Sequence, residues 1–299
     1  MARIKKREKM KHSIEEAIEE YMQDCINRNL SERSIHEYQS HLRSFMLHIG
    51  VDYLEDINDK VIQRYVSELP KYHQYSEKSF NNHARFINIF FNWCVEQEYI
   101  EKIKIKYKKV EKKLQHVPTT LEVKRLIQTP DITEISYSRL SAWLVCVIIT
   151  GTGLRVGSIV NLKKSDINLK ESVLYIRKTK QRQEMIVKLS PKLKKAIKFY
   201  LDVTDNNSDW LITNQYTDEP LQAKVMSNNV RRYGEFLGIK ISCHSLRRYF
   251  ACQCVLSGMP LIQLSRLLGH SSVQMTEVYI QSLGVEDFET KYTNPLERL

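Results

Sequence analysis

Residues 140–158 read LSAWLVCVIITGTGLRVGS. Its residues 142–149 form the longest uninterrupted apolar run of the chain, eight residues ended by Thr150. A helix that crosses a bilayer needs about 20 such residues. The run therefore predicts a helix buried inside a protein core. Gly151 and Gly153 then allow a sharp turn, which places Arg155 at the head of the next element. A helix buried on all sides needs other elements around it. With 299 residues, and roughly 100–200 residues per domain, two domains are expected. A hydrophobic content of 42% with 27% charged residues is that of an ordinary globular protein with a core of its own.

Downstream of the buried helix, residues 172–177 (SVLYIR) and 184–189 (EMIVKL) are β-branched runs around a polar turn and read as a hairpin. Ser190-Pro191 opens an amphipathic helix with Leu193, Ala196, Ile197 and Tyr200 on one side. Residues 210–212 fit a short strand or a buried loop. From 223 to 281 the pattern is helical, broken near Gly238, at 258–260 and at Gly269. Just upstream, Thr119-x-x-Glu122 is a capping box at the start of this second domain.

Residues 13–100 predict a bundle of four helices. Ser13-x-x-Glu16 and Ser34-x-x-Glu37 open the first two, and Gly50 stops the second. Asn58 caps a third, which Pro70 should end. The fourth runs from about Ser76 to Gln97 with Phe86, Ile89, Phe90 and Trp93 at helical spacing. Between the domains, residues 101–117 (EKIKIKYKKVEKKLQHV) hold seven lysines. They fit a solvated linker or a strap along a phosphate backbone equally well. The fold class expected is thus mostly α, with a small antiparallel sheet in the second domain. The expected boundaries are a basic arm at 1–12, a helical domain at 13–100, a linker at 101–117, a second domain at 118–285 and a tail at 286–299.

Lys and Arg exceed Asp and Glu by 46 to 35, a net charge of +11. That excess makes an acidic polymer the leading partner, and nucleic acid is the commonest one. The first twelve residues are basic with no apolar stretch behind them, so they do not read as a secretory signal. None of the six cysteines forms a C-x-x-C pair, which suits small core thiols in a reducing cytoplasm. Cys252 and Cys254 with His244 fall in one predicted helix and lack the two-loop spacing of zinc sites. No metal, cofactor or membrane segment is expected.

Four segments of the second domain can carry chemistry. The first is the turn that presents Arg155. The second is HSLRR at 244–248, where His244 and Arg247 at i and i+3 share a helix face. Leu246, Phe250 and Cys254 look the other way, toward a core. Two such side chains in a first helical turn suit an anion. The third is LGHSS at 268–272, with His270 in a tight break and Tyr279 nine residues later. The fourth is the hairpin turn with Lys178, Lys180 and Arg182. Each of these alone is also what a solvated face, a solvated turn or a packed tyrosine looks like.

Together, in this order, they resemble the tyrosine recombinase, or phage integrase, family, in its Xer-like or transposon-integrase branch. The resemblance rests on TGLR at 152–155, HSLRR, LGHSS and the TEVY that ends at Tyr279. SEKSFNNHARFINIFFNWCVEQEYI, from residue 76, looks like the core-binding domain of that family. It implies a two-domain clamp on double-stranded DNA that cuts and rejoins strands through a 3′-phosphotyrosine. Tyr279 would be the nucleophile, and Arg155, Arg247 and His270 would meet the charge of the transition state. His244 would take or organise the tyrosine proton, and Lys180 would protonate the departing 5′-oxygen, with Lys178 as its competitor. It further implies no cofactor, a homo-tetramer on DNA with the tail docked on a neighbour, and a cytoplasmic location.

Two positions depart from the family pattern. Ser158 stands where a carboxylate is frequent, and Arg248 where a histidine is frequent. In the first domain Lys78, Asn82 and Arg85, at i, i+4 and i+7, lie opposite the apolar face of the fourth helix and fit a groove or phosphate contact as well as a solvated face. A type IB topoisomerase or telomere resolvase would share the chemistry, and a silent DNA-binding regulator would share the fold.

Overall fold

The computed structural model describes residues 11–111, 115–177, 184–204 and 207–269. The chain divides into two compact units, Met1–Lys112 and Lys113–Leu299.

The first unit contains helices α1 (Ile14–Asn27), α2 (Glu32–Ile49), α3 (Asp59–Tyr72) and α4 (Glu77–Glu96). Each starts at a side-chain cap that accepts an otherwise unpaired N–H: Ser13, Ser31, Asn58 and Ser76. Two boundaries differ from expectation. Helix α2 begins one turn before Ser34, because Ser31 is the cap and the Ser34 N–H donates to its Oγ at 3.2 Å. Helix α3 runs two residues past Pro70. Pro70 has no N–H to give the Val66 carbonyl four residues back, yet the helix continues to Tyr72, and the His73 N–H closes it on the Leu69 carbonyl at 3.0 Å. The core is aromatic: Tyr21 meets Phe90 edge-on at 5.5 Å, and Phe45 meets Phe91 at the same separation. Each ring fully buried contributes roughly 1.5–3 kcal/mol.

The lysine-rich stretch is seated on this unit over its first half. Asn88 exchanges two hydrogen bonds with the Ile105 backbone at 2.7 and 2.9 Å, and Asn81 does the same with Lys108 at 2.7 and 2.8 Å. Seven residues of helix rise about 10.5 Å, and three residues of extended chain span about 10 Å. The two asparagines therefore act as matched clips. Ile105 is buried beneath the strap while Lys104 and Lys106 are exposed.

The second unit contains α5 (Thr120–Leu126), α6 (Tyr137–Thr152), α7 (Val156–Ile159), strands β1 (Ile167–Asn168), β2 (Val173–Ile176) and β3 (Met185–Lys188), then α8 (Pro191–Val203), α9 (Ala223–Phe236), α10 (Cys243–Leu256) and α11 (Leu261–Leu268). Thr119 and Glu122 form the reciprocal capping box of α5. The strands make one antiparallel sheet in the order β1-β2-β3, with Leu174 opposite Val187 and Ile176 opposite Met185. Helix α6 is the expected buried helix, with Ala142 to Cys146, Ile148 and Ile149 in the core, packed by α8, α9 and α10. Residues 210–212 are a buried loop, joined to Lys163 by a single bridge at Trp210. Among the described residues no helix is long and apolar enough to cross a membrane.

Candidate active site

Helix α6 ends on Gly153, whose φ of 67° is left-handed. A Cβ there would lie 2.4 Å from Phe250 Cδ1 and 2.8 Å from Leu268 Cδ2. Glycine is thus required twice, for the turn and for the close approach of α10 and α11. The turn delivers Arg155 as the N-cap residue of α7.

Helix α10 opens on a second device. Ser242 and Ser245 cap each other, with Ser245 N–H donating to Ser242 Oγ at 3.0 Å and Ser242 N–H to Ser245 Oγ at 2.8 Å. This places His244 in the first turn and Arg247 nearly one turn later. Arg247 is only 3% exposed. Its Nη1 donates to the Gly153 carbonyl and its Nη2 to the Leu268 carbonyl, both at 2.6 Å. Arg155 reaches the same place from the other side. Its Nη1 donates to Leu268 O at 3.3 Å and Gly269 O at 3.2 Å, and its Nη2 to Gly269 O at 3.1 Å.

Two arginines from segments 92 positions apart (247 − 155) therefore share the C-terminal carbonyls of α11. Those carbonyls carry the negative end of the helix dipole. They orient both guanidinium groups without cancelling their charge. His244 is pushed below the ordinary histidine range, first by partial desolvation and then by Arg248, Arg247 and Arg155. It is thus a neutral imidazole near pH 7, able to accept a proton. Phe250 and Cys254, expected to face a core with Leu246, pack instead in a small satellite cluster around Ala251, Leu264 and Leu268.

Ser158 makes no visible demand on this frame. Its N–H donates to the Arg155 carbonyl at 2.9 Å, while the Arg155 guanidinium is bonded to Leu268 O and Gly269 O. Lys180, Lys178, His270 and Tyr279 lie outside the described residues. His270 directly follows Gly269, the left-handed residue that ends α11.

Two supports were not legible in the sequence. Arg248 donates to Gln115 Oε1 at 2.8 Å and to the His116 carbonyl at 3.3 Å, and the His116 ring donates to Lys240 O at 2.9 Å. The segment leading into α5 is thereby tied to α10, beside His244 and Arg247. Asp166, 2% exposed, accepts from Lys163 N–H at 2.9 Å and from Arg177 Nε at 2.5 Å. Arg177 is the last described residue before the hairpin turn. The polar run KKSDIN gives no sign that its aspartate is buried.

In the first unit Lys78, Asn82 and Arg85 are exposed along α4, opposite the buried Phe80, Ile87 and Phe91, with Phe86 at the edge between the two faces. Arg85 donates to Asn82 Oδ1 at 3.1 Å and lies over the Phe86 ring. With His41, Tyr75 and Tyr107 they line an open groove of about 830 Å³. Among the described residues no group of three or more His, Cys, Asp or Glu side chains is placed to hold a metal ion.

Comparison with known proteins matches residues 118–284 to the model of the phage integrase family. Residues 16–101 match that of the phage integrase N-terminal SAM-like domain. The tyrosine recombinase XerA of Thermococcus onnurineus (strain NA1) is 28% identical over 269 residues, covering 89% of this chain and 91% of the relative. The tyrosine recombinase XerD of Staphylococcus haemolyticus (strain JCSC1435) is 26% identical over 284 residues, covering 89% and 94%. Among solved structures, a lambda integrase dimer bound to a COC′ core site aligns with a TM-score of 0.71 at 16% identity. That alignment covers 95% of this chain and 80% of the other.

Proposed function

Because the chain belongs to the phage integrase family and is a site-specific tyrosine recombinase, we propose that it cuts and rejoins double-stranded DNA through a 3′-phosphotyrosine formed on Tyr279. The observation that carries this reading is the meeting of Arg155 and Arg247 at the end of α11, beside a neutral His244.

In this mechanism Tyr279 Oη attacks the scissile phosphorus and the bond from phosphorus to the 5′-oxygen breaks. Negative charge grows on the non-bridging oxygens, where two guanidinium forks already held in place cost no reorganisation. His270 adds a hydrogen bond. The tyrosine has an ordinary pKa of about 10, and neutral His244 takes or organises its proton. The 5′-alkoxide leaves poorly unless protonated, and Lys180 supplies that proton. The tyrosyl ester conserves the energy of the broken bond, so a 5′-hydroxyl of another strand can reverse the step without a nucleotide.

Residues 118–285 are the catalytic domain in this reading and 13–100 a DNA-binding domain, with Lys78, Asn82 and Arg85 on its contact face. Lambda integrase structures as a dimer on a core site and as a tetramer on a Holliday junction support assembly of four copies of this chain on DNA. In this reading the tail at 286–299 docks on a neighbouring copy. A cytoplasmic location suits the six free cysteines.

The test is a suicide duplex nicked beside the scissile position, incubated with the chain in EDTA and resolved on a denaturing gel. A covalent adduct is expected, absent in Tyr279→Phe, whose DNA affinity stays near normal. An adduct that persists in Tyr279→Phe would refute the assignment.

A further inference from the structure

The first unit buries a titratable group that this reaction does not use. His83, on α4, is 0% exposed. Both of its ring nitrogens are bonded, Nε2 to Tyr65 Oη at 2.7 Å and Nδ1 to His41 Nδ1 at 2.9 Å. His41, on α2, is half-buried, stacked on Phe86 at 4.5 Å, and lines the groove that holds Lys78, Asn82 and Arg85.

These bonds impose a proton count. Burial pushes His83 down to about 4 and lowers His41 as well, so both rings are neutral at pH 7 and each carries one N–H. Around His41, Glu37 on its own helix favours the charged form and Arg85 on α4 opposes it. Two nitrogens 2.9 Å apart share one hydrogen, so one ring donates and the other accepts. Tyr65 decides which. It is 1% exposed, and the described bond of its hydroxyl is to His83. If it accepted from His83, its own hydrogen would be buried without an acceptor, which carries a desolvation penalty. If it donates, its own hydrogen and that of His83 are both used. His83 Nε2 is then an acceptor, His83 Nδ1–H donates to His41 Nδ1, and the proton of His41 must sit on Nε2.

We infer that His41 is a DNA-contact residue, its Nε2–H locked as a neutral donor by the Tyr65–His83 relay and offered in the groove to a hydrogen-bond acceptor on duplex DNA. The inference rests on the reading of the chain as a DNA recombinase. Charge complementarity selects the occupant: Lys78 and Arg85 flank the groove, and no carboxylate is among its described lining residues. A fixed neutral donor differs from those cations in kind. It requires an acceptor at one position, and it releases no counterion.

The test uses the full chain. Nitrogen-15 spectra of the histidine rings report which nitrogen carries the proton. His41 is expected as the Nε2–H form, and Tyr65→Phe should convert it to a mixture of tautomers. For binding, the probe is a duplex that the unaltered chain selects from a random-sequence pool. His41→Phe, which keeps a ring over Phe86, and Tyr65→Phe should each weaken it about three- to tenfold. The dependence of log K on log salt should keep its slope in both, whereas Lys78→Ala should reduce that slope by about one. A uniform loss across duplexes assigns the acceptor to a phosphate oxygen, and a loss confined to one base pair assigns it to a base edge. His41 protonated on Nδ1, or His41→Phe binding as tightly as the unaltered chain, would overturn the inference. A chain that selects no duplex overturns the contact through the functional reading, and the tautomer spectrum distinguishes that case from a wrong relay.

Discussion

Arg247 in the second unit and Arg85 in the first, both assigned to phosphate in the proposed function, are held in opposite ways. Arg247 is buried, with each arm of its guanidinium on a backbone carbonyl at 2.6 Å. Arg85 is exposed, bonded to the side chain of Asn82 and lying over a ring. A charge that must stabilise a transition state gains from being fixed before the reaction begins. A charge that must settle on a long polymer gains from freedom, and salt screens it. The proposed division of labour between chemistry and affinity thus matches how each arginine is anchored.

The largest break of this contrast should come from the fixed arginines. Arg155→Ala is expected to slow single-turnover cleavage about 10²–10³-fold, while urea unfolding changes little, because the side chain is only half-buried. Arg247→Ala should lose cleavage too, but it also strips the Gly153 carbonyl of its bond from Arg247, leaves Leu268 O only the longer bond from Arg155, and empties a buried site. Its unfolding midpoint should fall by the equivalent of about 3 kcal/mol. Equal stability of the two variants would mean that the buried anchoring of Arg247 is not what sets it apart.

A sharper cut separates charge stabilisation from proton donation. Lys180→Ala should be badly impaired on ordinary DNA and recover nearly to the unmutated rate on a substrate with sulfur at the bridging 5′ position. A thiol, with a pKa of about 8.5, leaves without a proton. Arg155→Ala should recover little on the same substrate. Rescue of Lys178→Ala instead would move the acid two residues upstream.

Acidity probes the first unit. His83 is depressed to about 4 when folded, against an ordinary value of about 6.5 when unfolded. Between those values the unfolded chain binds a proton that the folded chain refuses, so stability falls as pH drops through that window. The full effect is about 3 kcal/mol, reached near pH 4. Urea midpoints at pH 7 and pH 4 measure it, and His83→Asn should flatten the difference. The mildest effect belongs to the groove. Lys78→Ala and Arg85→Ala should each weaken DNA binding about tenfold or less at moderate salt and leave the cleavage rate of bound substrate unchanged. Loss of that rate would erase the distinction between the two regions.

What could be read in the sequence was what local chemistry dictates. The capping box of Thr119 and Glu122, the buried run of α6, the hairpin and the turn at Gly153 each depend on residues a few positions apart, and all appear where expected. The start of α2 was misplaced because Ser31 and Ser34 are both competent caps, and the pattern favoured the one followed by glutamate. The long-range polar contacts were invisible. Nothing in HSLRR says that Arg247 is buried against Gly153 and Leu268. Nor does the spacing of His41, Tyr65 and His83 announce a relay across three helices, since periodicity within one helix does not say which polar side chains meet between helices. The lysine-rich strap was ambiguous for a similar reason. Its clips are asparagines on the polar side of α4, where a solvated face looks the same.

The central claim is that Tyr279 becomes bonded to DNA in front of the paired arginines. The most direct measurement is to trap the adduct on a nicked suicide duplex, digest it with trypsin and nuclease, and locate the phosphonucleotide by tandem mass spectrometry. The account predicts the modification on Tyr279, at the 3′-phosphate. A phosphonucleotide on any other of the 16 tyrosines, or one joined through a 5′-phosphate, would contradict it.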